Sequence, residues 1–360
     1  MWVCMLFVIG MCPSAVFGWG FWAHQRINRM AVFTLPVEML HVYKKNIDYV
    51  TQHAVDPDSR RYAVEGEAPR HFIDIDHYGT YPFDNVPRKW KDAIEAFGED
   101  TIMEYGIVPW HINHAYYDLR DAFKSKDLLR IMKLSSDIGH YIADANVPLH
   151  TTENYNGQLT GQKGIHGLWE SRLPELFAEG YDFYIGQAKY LESVQMEAWS
   201  MVLESHLALD SVLRFEKLLT GKFPSDQKYS FENRANVLVK TYSKEFCEAY
   251  HRMLAGMVER RIRSSIIRVG SIWYTAWIDA GQPNLKELIT KELIEEKTDN
   301  EKRLKIRDRE SGEIGMKESA WEMLFGSCCG HGMESCQRLA ISRDGVTKPV
   351  MVQEAHSSHD

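Results

Sequence analysis

Five side chains able to bind a divalent cation lie in one stretch of the chain: His140, Asp144, His150, His166 and Glu170. Two pairs, His140/Asp144 and His166/Glu170, are spaced i,i+4. On a helix that spacing sets both side chains on one face, a turn apart. His150 stands between the pairs, just after Pro148. Nitrogen and oxygen donors without thiolate suit zinc in a catalytic role, whereas structural zinc sites favour cysteine. Either pair alone is an ordinary surface or core feature. Together, with His150 between them, they form one wall of a metal site. Residues for a second wall occur in the N-terminal third: His24, Asp56 and His71, each beside aromatic or turn residues.

The elements that must position these residues read as helices. Ala23–Phe33 is helical in pattern, and Pro36 opens a second helix through about His53. Asp56-Pro57-Asp58-Ser59 reads as a turn, and an irregular Tyr/Pro/Gly-rich region follows His71 up to Pro87. Lys89–Tyr105 and Pro109–Phe123 are expected helices. Asp127 caps another through Asn146, with apolar Leu128, Ile131, Leu134, Ile138 and Ile142 at helical spacing, and Pro148 stops it. His166 starts a further helix. Amphipathic segments from about Gly186 to Leu219 and from about Phe231 to Ala280 complete the pattern, with no strand alternation and no repeat. The expected fold is all-α, a single multi-helix domain over 19–283.

The 360 residues are 44% hydrophobic, enough for one large domain or two small ones with ample core. A formal net charge of −8 gives no chain-wide attraction to nucleic acid or an anionic membrane. Residues 1–18 form an apolar run ending in small residues, read as a signal peptide cleaved before Trp19. That makes the mature protein secreted or periplasmic. Cys247 is then the one cysteine in the body; Cys328, Cys329 and Cys336 lie near the C-terminus, so the core is no disulfide framework. Residues 284–360 are rich in charge, then in Ser, Gly and His, and read as a charged, partly disordered extension.

His140-x-x-x-Asp144-x-x-x-Pro148-x-His150 and His166-x-x-x-Glu170, preceded by His71-Phe72 and by Trp19 with His24, resemble the zinc-dependent phospholipase C / S1–P1 nuclease superfamily. Weaker echoes are Gly106–Trp110 and Ile272–Trp277, and the resemblance spans Trp19 to about Pro283. It implies an all-α fold around three zinc ions. Carried over, Asp56, His71, His140 and Asp144 hold one zinc, and His150, His166 and Glu170 a second. The amine and carbonyl of Trp19, with His24, hold the third, and Asp144 bridges. The implied reaction is phosphodiester hydrolysis by a zinc-bridging hydroxide, with Asp56 orienting the nucleophile or accepting its proton.

Glu170 and the Asp144–Pro148 run favour the phospholipase C branch. Phospholipid is then the expected substrate, peripheral membrane contact is compatible with it, and no obligate protein partner is evident. The residues matching a choline pocket differ: Trp22, Pro57 and Ala68 stand at its positions. A single-strand nuclease or nucleotidase is the alternative, since Trp19-Gly20 looks nuclease-like and Phe72 offers a ring to a nucleobase. A non-catalytic surface-binding homologue is a third reading.

Overall fold

The computed structural model describes residues 20–234 and 237–288. The expected signal peptide, Trp19, most of the C-terminal extension and Cys328, Cys329 and Cys336 lie outside them. The described body is a helical assembly, as expected. Its first helices are α1 (Phe21–Ala31), α2 (Val37–Lys45), α3 (Ile47–Gln52) and the short α4 (Asp56–Arg60). An irregular region with two short 3-10 turns then leads to α5 (Trp90–Phe97) and α6 (Glu99–Glu104). Gly98, at φ 81°, divides what the sequence pattern presents as one helix.

The centre of the body is built by α7 (Val108–Ser125) and α8 (Leu128–Ala145), packed on each other. The Asp127 carboxylate accepts the Arg130 N–H at 3.0 Å and so caps α8. The C-terminal half of α8, from Ile138 through Ala145, is buried on every side. The turn just before it is held by polar contacts as well as apolar ones. Tyr43 Oη shares a hydrogen bond with Ser135 Oγ, Trp273 Nε1 donates to the Ser135 carbonyl, and Asn28 Nδ2 donates to the Ser136 carbonyl. Such pairing is required, because a buried polar group without a partner costs about 1–3 kcal/mol.

The close approach of α1 to α8 depends on Gly139. A Cβ there would lie 2.0 Å from Asn28 Oδ1. Gly139→Ala is therefore expected to destabilise the fold by about 1–3 kcal/mol, seen as a lower urea midpoint. An unchanged midpoint would show that α1 has room to move.

The remaining elements are a short helix α9 (Ile165–Gly167) continuing into a π-helical turn (Leu168–Arg172), then α10 (Leu173–Phe177) and α11 (Val194–Thr220). Next come strands β1 (Tyr229–Arg234) and β2 (Val237–Tyr242), then α12 (Lys244–Met253) and α13 (Met257–Asp279). The hairpin corrects the expected helix from Phe231: β1 and β2 pair antiparallel, Tyr229 opposite Tyr242. Helix α12 begins only at Lys244, capped by Ser243, whose hydroxyl accepts the Phe246 N–H. Residues 186–193, expected within a helix, form none, and Ser193 caps α11 instead. Leu285 is buried, so the packed body continues past Pro283.

Candidate metal centre

Helix α8 delivers His140 and Asp144 from its fully buried end. The turn after Pro148 delivers His150, and the segment from Gly164 delivers His166 and Glu170. His166 and Glu170 straddle the change from α to π geometry, a local distortion common at functional sites. They remain on one face, with His166 Nε2 2.8 Å from Glu170 Oε1. His24 comes from α1, stacked on the His140 ring at 3.8 Å. His71 ends a 3-10 turn, and its segment is tied to His150 twice. The Ile73 N–H donates to the His150 carbonyl, and His150 Nδ1 donates to the His71 carbonyl at 2.6 Å.

Potential ligand atoms converge in three buried groups: His71, His140 and Asp144; His150, His166 and Glu170; and His24, Asp58 and His140. Asp144 stands between groups. Its Oδ2 lies 2.9 Å from His71 Nδ1 and 3.2 Å from His140 Nε2, while its Oδ1 lies 3.4 Å from His24 Nε2.

One expected ligand is placed elsewhere. The Asp56 carboxylate is 41% exposed and bonds His53 Nδ1 at 2.7 Å, away from all three groups. Asp58 takes that place, buried, with Oδ1 3.6 Å from His140 Nε2 and 3.8 Å from His71 Nδ1. The reason is helical geometry. Both aspartates lie on α4, and residues two apart on a helix point to opposite sides. The Asp-Pro-Asp sequence contained the signal; its register did not show which carboxylate turned inward.

The donor set fits a metal. Both Asp58 oxygens and both His24 nitrogens are buried without a hydrogen bond among the described residues. Three imidazoles are oriented from behind: Nδ1 of His140, His150 and His166 each meets a backbone carbonyl, of Ala54, His71 and Tyr155 respectively. This fixes the tautomer that leaves Nε2 as the ligand, the usual outer-sphere arrangement of metal histidines. Behind His71 sits Glu67, unremarked in the sequence. Its Oε1 is 3.9 Å from His71 Nε2 and accepts the Tyr141 hydroxyl, and its Oε2 takes Arg70 at 2.8 Å.

The site's charges are tightly balanced. Burial alone would raise the Asp144 pKa, but the His140 and His150 imidazoles reverse this and hold it well below the carboxylate range. Burial works against the His140 imidazolium, yet Asp144 and Asp58 outweigh it and push its pKa up to about 9. The His150 pKa is raised in the same way, against burial, by Asp144 and Glu170. Burial, and for His24 the neighbouring His140, lowers the pKa of His24, and burial lowers that of His71 to about 4. A ligating imidazole must be neutral, so zinc must expel the proton that His140 holds. Zinc affinity is therefore expected to fall as pH falls below about 9, with net proton release near pH 7. Calorimetry in buffers of different ionisation heat measures this, and binding without proton release would contradict it.

A cavity of about 270 Å³ opens beside the second group, lined by Arg61, Tyr62, Phe72, Asp74, His150 and His166 among others. Burial, then the Asp76 and Glu153 carboxylates, push the Asp74 pKa up to about 7.

No protein-family model matches the chain, and no curated protein matches it. Among solved structures it is similar to the alpha toxin from Clostridium absonum, with a TM-score of 0.43 and 11% identity over 76% of this chain. The chain spans 66% of that toxin's length, just under two thirds. A likeness this distant carries no argument about function, which rests on the site itself.

Proposed function

We propose that the chain is a zinc-dependent hydrolase of phosphodiester bonds, of the phospholipase C type. The observation that carries this reading is the convergence of three buried His/carboxylate groups about Asp144. A structural zinc site needs one closed set of four ligands, whereas metals held side by side suit phosphoryl chemistry. His71, His140, Asp144 and Asp58 would hold one zinc, and His150, His166 and Glu170 a second. His24 would hold a third with Asp144 and the amine and carbonyl of Trp19. When bound, the zinc ions would activate water and neutralise charge on the phosphoryl oxygens.

The chain's own residues supply orientation and access. Asp144 divides its two oxygens between neighbouring groups and sets their spacing. The carbonyls of Ala54, His71 and Tyr155 keep three rings aimed inward. Phe72, Tyr62 and Arg61 border the cavity through which a substrate reaches His150 and His166. Phospholipid is the proposed substrate. Single-stranded nucleic acid is the second reading, favoured by the Phe72 ring and the Asp74 carboxyl, which suit a nucleobase.

A paired assay decides between them: phospholipid vesicles and single-stranded nucleic acid, each with and without a chelator. Chelator-sensitive lipid hydrolysis is expected. Nucleic-acid cleavage without lipid hydrolysis would move the chain to the second reading, and turnover that ignores the chelator would overturn both. Secretion is part of the same proposal. N-terminal sequencing of the mature protein is expected to begin at Trp19, because an earlier start would leave that amine within a peptide bond. Among the described residues, no helix is long and apolar enough to cross a membrane.

A further inference from the structure

A second cavity, of about 480 Å³, opens where the Ala68–His71 turn meets α5 and α7. None of the candidate metal ligands lines it. Its volume is that of a small-molecule site. Its walls are aromatic: Trp90 and Trp110 meet edge to face at 6.0 Å, and Tyr117 is 46% exposed. Its lining includes Arg70, Lys89 and two histidines, and no Asp or Glu.

His111 is one of those histidines. It is half-buried and edge-on to Tyr141 at 4.5 Å. Burial, then the charges of Arg70 and His114, hold its pKa well below the ordinary histidine range. It therefore stands neutral, with one donor and one acceptor to offer. Lys89 is exposed and makes no ion pair among the described residues. Arg70 gives one nitrogen to Glu67 at 2.8 Å and keeps other N–H donors.

Aromatic walls beside the unpaired Lys89 ammonium and the spare Arg70 N–H donors select a flat apolar body carrying an anionic group. The rings contact the body, and the guanidinium and ammonium meet the charge. We propose that this cavity binds a planar organic anion, an aromatic carboxylate, sulfonate or phosphate ester, at a site separate from the metal centre. Arg70 links the two places: it holds Glu67, whose other oxygen lies 3.9 Å from His71 Nε2.

The test is calorimetric titration of the zinc-loaded full chain with naphthalene-2-sulfonate, a planar anion that ligates zinc poorly. One site per chain is expected, and 2-naphthoate should displace the probe. Lys89→Met, at an exposed position, should weaken binding about fivefold, the scale of one charge-assisted contact. Trp90→Ala should weaken it by roughly tenfold or more. Tyr62→Ala, at the mouth of the metal cleft, should leave it unchanged. No binding would overturn the proposal. So would binding weakened by Tyr62→Ala but not by Lys89→Met, or equal affinity for neutral 2-naphthylmethanol.

Discussion

Asp58→Asn is expected to lower the bound zinc by at least one ion and hydrolysis by roughly 100-fold or more, while Asp56→Asn leaves both nearly unchanged. The two carboxylates are two residues apart, yet they differ in every property that matters to a metal. Asp58 is 2% exposed, with no hydrogen bond to either oxygen among the described residues, and faces His140 and His71. Asp56 is 41% exposed and already committed to His53. Removing the Asp58 charge leaves the surrounding imidazoles without one of their anionic partners, and it removes a ligand. Removing the Asp56 charge alters a surface pair, for which about 0–1 kcal/mol is the ordinary scale. Zinc content, activity and circular dichroism of the two variants measure this together. Equal loss in both, or loss in Asp56→Asn alone, would return the ligand role to Asp56.

Asp144→Asn should have a larger effect, the loss of more than one zinc per chain. Its two oxygens face different partners, Oδ2 toward His71 and His140 and Oδ1 toward His24. An amide keeps the shape but replaces one acceptor oxygen with a donor, and it removes the charge that supports the His140 imidazolium in the absence of metal. A variant that keeps its full zinc complement would contradict the bridging role. Loss of folded structure would be a different result, visible by circular dichroism and separable by Glu170→Gln. That change touches the second group alone and should cost about one ion.

The half of the site on α8 and the segment from Gly164 was legible because its signals are local. An i,i+4 pair states its own geometry, Asp127 and Pro148 mark the ends of α8, and the apolar period shows its buried face. His24 and His71 were legible as residue types, but their meeting with α8 depends on tertiary packing that no spacing encodes. Asp56 was read in place of Asp58 because a five-residue helix with proline in its first turn has no period long enough to fix its register. Glu67 gave no signal, since its role comes from burial against Tyr141 and Arg70. The hairpin was missed for another reason. Its residues are mostly exposed on both faces, so β1 and β2 lack the in–out alternation that marks a strand packed on a core. Val237, Leu238 and Val239 read as an apolar segment of a helix, but the chain leaves them in solvent.

Zinc content per chain, measured on the purified mature protein after equilibration with zinc and removal of free metal, decides whether the site is trinuclear. The proposed assignment, with two ligand sets among the described residues and a third completed by Trp19, predicts about three ions per chain, all removed by a strong chelator. One ion or none, in a protein that remains folded, would contradict it.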